Sequence, residues 1–394
     1  MTAAMDAAHY DPFDYAHHED PYSAYRKLRD EAPAYRNEQY GFWALSRYAD
    51  CLAALRNPRV YSSAQGTSLE PLKAQVPTLL NSDPPVHTRL RQLLGQLFLP
   101  AAIAPLEDAV RAMARDLLSP HARGGRLDVI TDFAARLPMA IICQLLGFPR
   151  NDEDMLRSWT DAVVHRDEDV FEMPEAGMQA TLRLYAYFED DLRRRTGQAA
   201  RGDLVSTLVA AEASGKLTHE ELLGYIYILA IAGNETTTKL IGNIVYQLDR
   251  HPRQKQDVLA DRALVAGAVE ETMRYDGPTQ MMARTAATDV EVHGQRIEAG
   301  QKIALLFISA NRDERKFPAA ETFDVRRTSR DHLGFGGGLH ACLGAALARL
   351  EARVAIEELL KIAPDFSVDQ AGLQRMHSPQ VRGYTHVPVA FTAS

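Results

Sequence analysis

The stretch from Thr218 to His251, "THEELLGYIYILAIAGNETTTKLIGNIVYQLDRH", constrains the fold more than any other part of the chain. Thr218 and Glu221 stand in the Thr-x-x-Glu spacing of a capping box, where two side chains satisfy two free N–H groups at a helix start. Pro252 lacks the N–H that another turn would need. Between these signals the middle of the segment is apolar on nearly every face. A helix of that kind must be buried on all sides. It is therefore predicted to run through the centre of the molecule, with the rest of the chain wrapped around it. Its apolar run, "YIYILAIAG", is only about half as long as a membrane crossing requires.

The flanking sequence is mostly helical as well. "DPYSAYRKLRDEAP" and "RYADCLAALRNP" read as short amphipathic helices, each stopped by proline. "PPVHTRLRQLLGQLF" opens a helix with prolines at its front. Further helices are expected over about 263–275 and over "CLGAALARLEARVAIEELLKIA". From Pro58 to Pro85 the pattern dissolves into a long Ser-, Gly- and Pro-rich loop, a length that in a compact domain usually marks function or disorder. After Pro278 the period changes: "DVEVHGQRIEAGQKIALLFISAN" alternates and carries glycines, so strands and a hairpin are expected, with another β-like tail at "HVPVAF". The reading is one domain over residues 1–394, mainly α with a minor β portion, the β-rich region being built from N-terminal and C-terminal segments.

The bulk composition narrows the function. A chain of 394 residues with 46% hydrophobic residues can bury a large core. Its net charge of −8 opposes nucleic-acid binding, which needs a basic face. Three cysteines, Cys51, Cys143 and Cys342, make no disulfide framework, so a reducing compartment is expected. No basic stretch leads into an apolar run near the N-terminus. A soluble, cytoplasmic monomer that does not engage a membrane is the expectation.

One cysteine stands apart. In "HLGFGGGLHACLG", Cys342 follows Gly336, Gly337 and Gly338 and is the first residue of a strongly helical stretch. A sulfur at a helix start gains from the helix dipole and free N–H groups, and glycines let backbone amides approach it. Such a thiolate suits a nucleophile or a metal ligand. No second cysteine lies near enough in sequence for a zinc knuckle or a redox pair.

The pattern Phe335-x-x-Gly338-x-His340-x-Cys342-x-Gly344 resembles the haem-binding signature of the cytochrome P-450 family at every position. The resemblance extends along the chain. Glu271 and Arg274 in "EETMRY" are similar to the family's Glu-x-x-Arg pair, with Arg327 in "FDVRR" as its partner. "AGNETT" resembles the oxygen-binding stretch of the long helix, and "DPPVHTRLR" the haem-propionate helix of soluble bacterial members. The resemblance implies a P-450 fold, with haem b held between the central helix and the cysteine-loop helix, and Cys342 as axial thiolate. Such a thiolate pushes electron density onto iron. Phe335 would shield the sulfur, and Gly338 would permit the turn. His87, Arg91, Arg284 and His340 would clamp the anionic propionates. Ala232 and Gly233 would make room for dioxygen. Thr236, bonded back to the Ala232 carbonyl, would open the helix and steady reduced oxygen, while Glu235 would relay protons. Glu271, Arg274 and Arg327 would be structural.

The resemblance also implies two electrons from a separate ferredoxin or flavodoxin with its reductase, for which Arg89, Arg349 and Arg353 offer a basic docking patch. The pocket is expected between the Pro58–Pro85 loop with Leu79 and Leu80, the turn at Leu229, the Met281–Met282 stretch and residues 381–385. These are largely apolar, which points to a lipophilic substrate: a steroid, terpenoid, fatty acid or polyketide. An oxygenase that hydroxylates or epoxidises such a molecule is the leading reading. The alternative is a haem-thiolate protein that couples rings, dehydrates, isomerises or senses a ligand.

Overall fold

The computed structural model describes residues 8–70, 77–167, 170–195 and 201–392. The central helix spans His219–Arg250, and its capping box forms as the sequence requires: Thr218 accepts from the Glu221 N–H while Glu221 accepts from the Thr218 N–H. Leu240, Ile241, Ile244, Val245 and Leu248 are fully or almost fully buried along it. Helices Arg136–Leu146, Ala345–Ile362, Leu264–Tyr275 and Glu153–Val164 pack around this axis. The main core forms where they meet.

Most of the expected elements appear. Tyr22–Glu31, Tyr48–Arg56, Val86–Leu94 and Leu264–Tyr275 are helices. Pro252, read as a stop, also starts the next helix, Pro252–Ala260, where its missing N–H costs nothing. The hairpin expected within "DVEVHGQRIEAGQKIALLFISAN" forms between Val290–Val292 and Gln295–Ile297. Within "ALLFISAN" the strand ends at Leu306, and Phe307–Ala310 is a helical turn.

The β portion includes a five-stranded sheet. Ala34–Asn37 pairs antiparallel with Phe42–Leu45, which lies parallel to Lys302–Leu306. Met281–Ala286 pairs antiparallel with that strand, and Tyr61–Ser62 closes the edge. N-terminal and later segments thus share one sheet. A three-stranded sheet joins Arg126–Asp128, Pro388–Ala390 and Ser367–Val368.

Among the described residues, one single helix, Val129–Leu146, is long and apolar enough to cross a membrane, but 67% of it is buried inside the fold. It begins with a π-helical turn, Val129–Ala134, and packs against the central helix. Its hydrophobicity is explained by that packing.

Candidate active site

Between the central helix and the Cys342 loop lies a cavity of about 240 Å³. Cys342, Leu343, Gly344 and Leu347 form one wall, and Leu229, Ala232, Gly233 and Thr236 of the central helix form the opposite one. Leu79, Leu80, Met282 and Thr279 contribute to the rest. Thr236 Oγ1 donates to the Ala232 carbonyl at 2.9 Å, the back-bond its spacing requires. A Cβ on Gly233 would lie 3.2 Å from Ile142 Cδ1, so glycine here serves helix packing as well as space.

The cysteine loop is built from its glycines. Gly336 and Gly338 have φ of 68° and 63°, a conformation that L side chains rarely adopt. A Cβ on Gly338 would also collide with the Leu55 carbonyl. The Cys342 N–H donates to the Phe335 carbonyl at 2.9 Å and closes the loop. The expected helix start is corrected here: the helix begins at Ala345, capped by Gly344, so Cys342 precedes it. The dipole therefore does less than the sequence suggested. Loss of water pushes the Cys342 thiol up, although the Gly344 amide and the charges of Arg91 and Arg349 pull it down.

Four donors gather at one edge. Arg91 Nη1 donates to the Ala341 carbonyl at 2.7 Å, and Arg284 Nη1 donates only to its neighbour's carbonyl, that of Ala283, at 2.8 Å. The His87 and His340 rings lie 4.2 Å apart. Both His87 nitrogens and His340 Nε2 are buried without a partner. Burial and the positive charges of Arg284, His87 and Arg91 push His340 down to about 3. Burial lowers Arg284 to about 10. Buried donors left unpaired are costly, and a pair of carboxylates would satisfy them. A Cβ on Gly344 would meet no protein atom within 4 Å, so the space beside the cysteine is open. Donors, sulfur and open wall fit a flat dianionic porphyrin.

Glu271, Arg274 and Arg327 meet in one hydrogen-bonded network. Arg274, fully buried, binds Glu271 through Nε at 2.9 Å and Nη2 at 2.8 Å. Arg327 Nε reaches the same carboxylate at 3.1 Å. Asn311 ties this region to the cysteine loop by accepting the Leu333 N–H at 2.6 Å.

Several expectations are corrected. Met281 points away from the cavity into the core beside Phe42 and Leu306, because neighbours on a strand face opposite sides; Met282 lines the cavity. Residues 381–385 do not line it: Arg382 pairs with Asp276 at 2.7 Å and Tyr384 is buried in the core. Pro278 and Thr279 take that place. The arginines read as a docking patch also form ion pairs within the chain, with Arg89, Arg349 and Arg353 side chains still 44%, 40% and 28% exposed. Arg89 binds Glu221 at 2.5 Å, Arg349 binds Glu270 at 2.6 Å, and Arg353 binds Glu107 at 2.6 Å. Residues 71–76 of the expected roof lie outside the described residues. Glu235 does not face the cavity; it is 2% exposed and pairs with Lys239 at 3.2 Å.

Two features were missed. Arg349 stacks over Phe335 at 4.3 Å and, with His332, holds Glu270, bracing the loop from behind. Glu351 is buried on the cavity wall, where loss of water pushes its carboxyl well up. Its place four residues after Leu347 in an apolar row was the available signal.

A cytochrome P450 family profile matches residues 166–376. The putative cytochrome P450 123 of Mycobacterium tuberculosis is 41% identical over 393 residues, covering 97% of each chain. The cytochrome P450 monooxygenase PikC of Streptomyces venezuelae is 37% identical, covering 94% of this chain and 91% of its own. The crystal structure of CYP109E1 from Bacillus megaterium in complex with testosterone superposes with a TM-score of 0.90 at 29% identity, over 96% of this chain and 99% of that one. The chain belongs to the cytochrome P450 family. It is an oxidoreductase that incorporates oxygen, and the family's cofactor is haem held by a cysteine thiolate.

Proposed function

We propose that this protein is a cytoplasmic haem-thiolate monooxygenase that hydroxylates or epoxidises a lipophilic small molecule of the steroid, terpenoid, fatty acid or polyketide class. Electrons would come from a separate ferredoxin or flavodoxin and its reductase, since the sequence shows no cysteine cluster and no Gly-x-Gly-x-x-Gly opening a βαβ unit. The observation that carries the reading is one cavity with Cys342 on one wall and Thr236 on the other, lined between them mainly by apolar side chains.

Cys342 would ligate the iron. Arg91, Arg284, His87 and His340 would hold the propionates. When bound, haem supplies the redox centre at which dioxygen is cleaved and one oxygen atom transferred. The chain's own residues do the rest. Leu79, Leu80, Leu229 and Met282 exclude water and orient an apolar substrate by shape. Ala232 and Gly233 leave space on the cavity wall facing Cys342, where dioxygen would be bound. The Thr236 hydroxyl donates to the Ala232 carbonyl and can turn to hold a proton over the cavity. Glu235, behind it, is the nearest acid on the same helix and supplies that proton.

Isotope-labelled dioxygen tests the reading. With a competent donor and a substrate found by screening lipophiles for displacement of iron-bound water, one labelled oxygen atom appears in the product. Label absent from every product overturns it in favour of a non-oxygenating haem-thiolate protein.

A further inference from the structure

Glu235 is buried and does not line the cavity, so it cannot collect protons from solvent directly. Its neighbour across the helix interface can. Asp161 lies on Glu153–Val164, where Thr160 is tied to the central helix by Asn234 Nδ2 at 3.0 Å. The Asp161 side chain is 41% exposed, yet its Oδ1 is buried. That oxygen has no donor and lies within reach of the Glu235 carboxyl, whose Oε2 meets the Lys239 ammonium at 3.2 Å. Two carboxyl groups in contact are satisfied only if they share a proton.

We propose that Asp161 is the solvent-facing half of a carboxyl pair with Glu235, and that protons bound for Thr236 enter through it. In each transfer the Asp161 O–H bond breaks as a Glu235 O–H bond forms, and the Asp161 carboxylate then takes a proton from water. This rests on the reading of Glu235 and Thr236 as the proton path.

The surrounding charges set where the proton rests. Lys239, from the central helix, stands 3.2 Å from Glu235 and is almost fully buried. Arg157, from the Asp161 helix, stands 4.0 Å from Asp161 and also binds Asp154 at 3.1 Å. The buried ammonium favours a negative Glu235. In keeping with this, the Asp161 acid is raised by burial and by Glu235, while Glu235, despite its own burial, is lowered by Lys239 and Asp161. The resting proton sits on the outer residue, where water can replace it.

The test uses the haem-loaded protein. Infrared difference spectra, in which the protonated Glu351 common to all variants cancels, should show the C=O stretch of a protonated carboxyl at neutral pH that is lost in Asp161→Asn and shifted in Asp161→Glu, while the ferrous carbon-monoxide band is unchanged in all three. If Asp161→Asn fails to fold, the Asp161→Glu shift decides. No difference band in Asp161→Asn, or one that does not move in Asp161→Glu, overturns the proposal. Oxygen consumption driven by a surrogate ferredoxin in heavy water gives the second readout. The solvent isotope effect should grow at least twofold in Asp161→Asn and return to its original value in Asp161→Glu. No change in Asp161→Asn, with a change in Glu235→Gln, overturns the role of Asp161. No change in either overturns the underlying proton path.

Discussion

Replacing Arg274 with methionine should destabilise the fold far more than the same change at Arg327, although both bind one carboxylate. Arg274 is fully buried and spends all its donors. Besides Glu271 it binds the carbonyls of Asn311 at 2.9 Å, Ala320 at 2.8 Å and Thr322 at 3.1 Å. Removing one partner of a buried ion pair costs about 3–5 kcal/mol. The Thr322 carbonyl keeps the Arg327 Nη2 donor at 3.1 Å, so two carbonyls lose theirs, each at about 1 kcal/mol. The total for Arg274→Met is about 5–7 kcal/mol, comparable with the whole stability of many proteins. Arg327 is the outer partner, its side chain 13% exposed, and without it Glu271 retains both Arg274 bonds. Arg327→Met should cost about 1–2 kcal/mol. Urea unfolding of the haem-loaded protein, followed by helical circular dichroism and haem absorbance, measures both. Equal losses in the two variants would refute the argument that a saturated, buried guanidinium holds this region together.

Three other outcomes are expected. Thr236→Ala should keep haem and substrate affinity but divert electrons from product to hydrogen peroxide; unchanged coupling would remove the threonine from the proton path. Gly338→Ala should yield protein with little haem, because the new Cβ meets the Leu55 carbonyl in a backbone conformation that itself costs about 1–3 kcal/mol; normal haem content, read by absorbance, would contradict this. Although burial opposes it, the His332 and Arg349 hydrogen bonds hold the Glu270 carboxyl down at about 2. A lowered carboxyl stabilises the fold above its ordinary range near 4.5 and loses that contribution as pH falls towards 2. Glu270→Gln should flatten acid unfolding in that window, and an unchanged pH profile would show that Glu270 does not brace the loop.

The features legible in the sequence were local ones. The capping box at Thr218, the Thr236 back-bond and the Glu271–Arg274 pair all lie within one helical turn, so spacing alone places them. The cysteine loop was legible because its glycines have no substitute at positive φ. The face of Met281 followed from strand alternation, but the strand Met281–Ala286 had to be recognised first. Asp161 beside Glu235, Arg89 on Glu221 and Glu107 on Arg353 join distant segments. No periodicity encodes such pairs. Arg89 and Arg353, which looked like part of a docking face from sequence, take part in two of those contacts.

The central claim is a sulfur–iron bond at Cys342, and the carbon-monoxide spectrum of the reduced, haem-loaded protein tests it most directly. A strongly red-shifted Soret band, lost in Cys342→Ala, is the predicted result. A band at the position given by a neutral histidine or water ligand, or one that survives Cys342→Ala, would contradict the account.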